Sequence, residues 1–175
     1  MEIRKIMLVS VNDVKKKVKD NIDMIAGMVK VKKNLSYDDS IDIPVEKVAL
    51  GYISDFYLCL GRDKMEKVDF PPCSLIYGTN SLNYPKKTFD AESLRYVSLS
   101  EIEELLNEYE NINLGEKYKE LNIKIGEWMG IKDGNGLFNL RYTEMDQEEE
   151  ISNKIKALYK NALRDGKDVL CVHYY

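Results

Sequence analysis

The chain has 175 residues, 44% of them hydrophobic and 32% charged, with a net charge of −4. That supplies one ordinary core without staples and too little positive charge for a general polyanion binder. No apolar run approaches a membrane span, IMLVSV is too short for a signal-peptide core, and three cysteines with one histidine leave no zinc-ligand spacing.

The opening EIRKIMLVS reads as a short strand. Ser10, with Asp13 three residues on, then resembles a capping box, and Val11, Val14, Val18, Ile22 and Ile25 recur at helical spacing. From Pro44 onward Val45, Val48, Ala49, Tyr52, Ile53, Phe56, Tyr57 and Leu60 form a second helical stripe. Pro44 suits its first turn and Gly61 its C-terminal cap, so the spacing predicts a helix over 44–60.

PPCSLIYG predicts a turn and a short strand, and LRYV another strand. The clearest local signal follows in VSLSEIEELL: Ser98 and Glu101 sit at capping-box spacing, and Val97 and Ile102 at staple spacing. Ile102, Leu105, Leu106 and Tyr109 then line one helix face. Leu114, Tyr118, Leu121 and Ile125 continue a helical pattern up to Trp128. A last helix is predicted over 147–164, capped by Asp146, with Glu148 to Glu150 in its charged first turn. Its stripe is Ile151, Ile155, Leu158, Tyr159 and Ala162, and Gly166 ends it. The closing DVLCVHYY is apolar on both of its alternating faces, the pattern of a strand covered on two sides.

That strand holds the most provocative pair in the chain, Cys171 and the sole histidine, His173. Two residues of strand place their Cα atoms about 6.6 Å apart on one face. A reactive thiolate also needs an accessible electropositive setting and a group to orient its base, and a doubly covered strand supplies neither. A packing role is therefore expected for Cys171. KDGNG at 132–136 has the middle of a calcium loop in Asp133, Asn135 and Gly136. The first-ligand position is Ile131 and the bidentate-glutamate position Tyr142, which leaves a glycine turn. The early lysines interleave with Asp13, Asp20 and Asp23, so nucleic acid is the least favoured partner. Phosphate-loop, dinucleotide, nucleophile-elbow and zincin motifs are missing from the sequence.

The order of these pieces is similar to that of the YfbM-like proteins, a bacterial family of uncharacterised function. The resemblance is carried by LIYGTNSL, LRYVSLSEIEELLNEY, GEW and IKALYKNALRDGKDVLCVHYY, and spans nearly the whole chain. It implies a single domain over 1–175 with an α/β fold, a three-layer α/β/α sandwich around a mixed sheet, and it brings no activity with it.

Well-capped helices, a packed core and no catalytic constellation point to a cytoplasmic, non-catalytic domain that binds another protein, in the manner of an immunity protein. Tyrosines, Arg95 and Trp128 are the expected anchors, since aromatics and arginine carry most interface energy. The alternative is a small-molecule binder or enzyme with a cleft near Tyr77, Gly78, Arg95 and Tyr96. No cofactor, metal or membrane is expected, and the sequence sets no oligomeric state.

Overall fold

The computed structural model describes residues 5–16, 40–44, 74–76, 78–81, 94–113, 115–117, 120, 123 and 145–174. Among the described residues five strands form one sheet: β1 (Lys5–Val11), β2 (Ser40–Pro44), β3 (Asn80–Ser81), β4 (Leu94–Val97) and β5 (Asp168–Tyr174). The spatial order is β2-β1-β5-β4-β3. The first and last strands thus pair along their full lengths, Lys5 against Tyr174 through Val11 against Asp168.

All four pairings are antiparallel. This corrects the mixed sheet: among the described residues no parallel pair occurs. The two apolar faces of β5 report that both faces are covered, which says nothing about strand direction. A central antiparallel strand buried on both sides carries the same pattern as a parallel one.

Helices α1 (Leu99–Glu110) and α2 (Met145–Asp165) lie against one face of this sheet. Ile6, Leu8, Ile43, Val97, Val169 and Cys171 from the strands form one core with Ile102, Leu106 and Tyr109 of α1 and Ile155, Leu158, Tyr159 and Ala162 of α2. Each fully buried Leu- or Ile-sized side chain there contributes about 1.5–3 kcal/mol over its exposed state. Alternation sends Met7, Val9, Leu170 and Val172 to the opposite face, and these too are buried. Both faces of the sheet's centre are therefore dry, as DVLCVHYY implies.

The two helices follow their local signals closely. Ser98 and Glu101 close the capping box of α1, and Val97 and Ile102 are both fully buried in the core, as the staple requires. α2 ends in a Schellman motif. Gly166 adopts φ +66°, its N–H donates to the Leu163 carbonyl at 3.4 Å, and the Lys167 N–H reaches the Ala162 carbonyl at 2.9 Å. The start of α2 differs from expectation, because the helix begins at Met145 and Asp146 lies inside its first turn. Glu148 also departs from a solvated first turn. It is fully buried, one turn ahead of Ser152, whose hydroxyl bonds the Tyr109 hydroxyl between the two helices.

Three local readings are corrected. Ser10 stays in β1, and Asp13, at φ +47°, accepts from the Lys16 N–H at 3.4 Å and so caps the helical turn at 14–16. Pro44 ends β2 instead of opening a helix, paired with Lys5 on the outer of the two strands, a place where a missing N–H is tolerated. Residues 74–76 form a helical turn closed by the Gly78 N–H on the Ser74 carbonyl at 2.9 Å, and the strand follows at Asn80. The two-residue alternation of SIDIP, which makes β2, escaped the sequence reading. The rest of the predicted helix over 44–60, the stripe residues Val18, Ile22 and Ile25 and later Leu114, Tyr118, Leu121 and Ile125, the glycine turn at 132–136, and the other two cysteines, Cys59 and Cys73, lie outside the described residues.

Candidate functional site

Most of the candidate residues that the structure describes lie where residues 74–76 and 78–81 meet β4 and the N-terminus of α1. Gly78 makes this contact possible. Its φ is +88°, and a Cβ placed on it would stand 2.8 Å from Arg95 Cβ and 2.9 Å from the Tyr96 backbone nitrogen. Only glycine fits so close a backbone approach at positive φ. The Arg95 side chain then donates from Nε to the Gly78 carbonyl at 2.8 Å. Gly78 and Arg95, paired as candidates in the sequence, are thus in direct contact.

Arg95 and Tyr96 do not share a cleft. Arg95 opposes Cys171, and Tyr96 opposes Leu170, so the two side chains leave β4 on opposite faces of the sheet. Arg95 is 6% exposed on the helix side. Tyr96 is 7% exposed on the other, with the Lys15 ammonium 5.9 Å from its ring centroid. Tyr77 and Trp128 lie outside the described residues.

Behind Arg95 the core is polar for a short distance. The Leu75 carbonyl accepts from the Tyr159 hydroxyl and from the Cys171 thiol, the latter at 3.6 Å, and the hydroxyl and sulfur are 3.9 Å apart. Cys171 is fully buried, and that desolvation pushes its thiol up to about 12, with the Tyr159 hydroxyl and the Arg95 charge pulling the other way without offsetting it. Burial likewise lifts the Tyr159 phenol well above its ordinary range, with the neighbouring sulfur adding to the shift. Both groups are therefore held protonated near pH 7.

Ahead of Arg95 the seam continues to a single carboxylate oxygen. Glu101 Oε2 accepts from the Asn80 amide at 2.7 Å, the Thr79 hydroxyl at 2.9 Å, the Ser98 hydroxyl at 2.9 Å and the Ser98 backbone N–H at 3.1 Å. Burial alone would raise its carboxyl, but these hydrogen bonds outweigh it, and the net value falls below the ordinary 4.5. The carboxylate is the N3 group of the α1 capping box, and it also ties β3 to the helix. Because the folded value is depressed, the stabilisation is complete above the unfolded value of 4.5 and vanishes as pH falls through the folded one. Glu101→Gln is expected to lose about 1 kcal/mol at pH 7 and to flatten the acid limb of stability, read from urea midpoints at pH 7 and pH 3.

A second carboxylate joins elements that are distant in sequence. Asp168, at the head of β5, accepts from the Leu99 N–H of α1 at 2.9 Å and from the Val14 N–H of the turn at 14–16 at 3.1 Å. One side chain thus caps two helical N-termini. Nothing local marks it, since its partners lie 69 and 154 residues away. Thr79, Asn80 and Tyr159 were missed for the same reason, whereas Glu101 was visible through its capping box.

Chemically, the seam is a set of hydrogen-bonded groups that hold 74–81, β4, α1, α2 and β5 together. Among the described residues no group of three or more His, Cys, Asp or Glu side chains is placed to hold a metal.

The fold and seam together describe an α/β protein with helices on one face of an antiparallel sheet and its conspicuous polar side chains engaged in tertiary structure. Among solved structures, the chain is similar to the protein of unknown function YfbM from Escherichia coli. The TM-score is 0.58 at 17% identity, and the match covers 99% of this chain and 100% of that one. The likeness is one of fold, in keeping with the resemblance carried by the sequence. No family model and no curated protein matches the sequence.

Proposed function

We propose that this chain is a single-domain, three-layer α/β protein of the cytoplasm that acts by binding another protein, in the manner of an immunity protein, and not by catalysis. The observation that carries the reading is the state of Cys171. The thiol with the most catalytic-looking sequence context is fully buried and held protonated. The polar groups around it support the same view: the Arg95 Nε–H, the Tyr159 hydroxyl and the Glu101 carboxylate oxygen are each spent on internal hydrogen bonds. Among the described residues no helix is long and apolar enough to cross a membrane. The net charge of −4 disfavours nucleic acid as the partner.

Because Arg95, Tyr96, Tyr109 and Tyr159 are buried, the anchor retained in this proposal is Trp128 with the remaining tyrosines, and not that arginine. The test is affinity capture of the tagged full chain from its native cell. A stoichiometric protein partner that survives gel filtration is the expected result. A clean monomer across growth conditions would sink the proposal, and a reproducible rise in Tm with one metabolite would move the function to small-molecule binding.

A further inference from the structure

We draw no further inference here: the strongest candidate, the acidic outer face of α1 built by Glu103, Glu104 and Glu108, is a cluster of carboxylates alone, and nothing in the structure shows what covers it.

Discussion

Replacing Gly78 by alanine is expected to destabilise the protein by about 3–4 kcal/mol, combining strain at positive φ with overpacking against β4. The new Cβ would overlap Arg95 Cβ at 2.8 Å and the Tyr96 backbone nitrogen at 2.9 Å. A backbone nitrogen has no rotamer to escape into, so the segment 74–81 must lift away. Lifting it stretches the Arg95 bond to the Gly78 carbonyl and draws Thr79 and Asn80 off Glu101. Gly166 provides the internal control. It also has positive φ, +66°, but its nearest neighbour would be Leu99 Cδ2 at 4.0 Å. Gly166→Ala should therefore cost only the backbone term, about 1–2 kcal/mol. Urea unfolding of both variants reads the difference as a midpoint shift at constant slope. Equal costs for the two would mean that 74–81 does not approach β4 as closely as described.

Asp168→Ala is expected to cost about 3 kcal/mol, since the two N-terminal N–H groups it accepts from lose a charged cap together. The carboxylate is only half-buried, but it lies at the positive ends of α1 and of the turn at 14–16 at once. Asparagine separates the two contributions. Its amide keeps one acceptor oxygen and turns an NH₂ group toward the other helix end, so Asp168→Asn should recover roughly half of the loss. Thermal and urea unfolding of the two variants measure this directly. If Asp168→Asn and Asp168→Ala are equally mild, within about 0.5 kcal/mol of the parent, the double cap contributes nothing.

What the sequence made legible was local. The α1 capping box and staple need only Val97 to Ile102, and all of their geometry is written within one helical turn. The stripe from Ile155 to Ala162 fixed the buried face of α2, and Gly166 fixed its end, for the same reason. Even the double coverage of β5 follows from its own residues, because alternation assigns Val169 and Cys171 to one face and Leu170 and Val172 to the other. Failures began where a decision depended on a distant partner. Ser10 with Asp13 three residues on has the spacing of a capping box, but pairing with β5 keeps Ser10 in β1, opposite Val169, and the cap falls to Asp13 itself. Pro44 suits a helix start equally well as the last residue of an outer strand, and its pairing with Lys5 decided the matter.

The candidate site was legible in the same partial way. The contact between Gly78 and Arg95 is there, yet Arg95 and Tyr96, adjacent in sequence, are separated by the sheet itself. The period of two in a strand already forbids neighbours from lining one cleft once both sit inside it. The carboxylates that organise the region gave no sign of their reach. Glu101 showed its helix cap but not its hold on Thr79 and Asn80, and Asp168 followed a helix-ending glycine without any mark of its two distant N–H partners.

If the polar core around β5 is structural, Cys171 packs and does not react. The most direct measurement is alkylation of the folded full chain with iodoacetamide at pH 8, read for the peptide containing Cys171 by mass spectrometry. A fully buried thiol raised to about 12 should be labelled only as fast as the chain unfolds, with the rate climbing steeply in urea. Rapid labelling of Cys171 in a chain that remains folded would contradict that claim, and would return the Cys171–His173 pair to consideration as a reacting site.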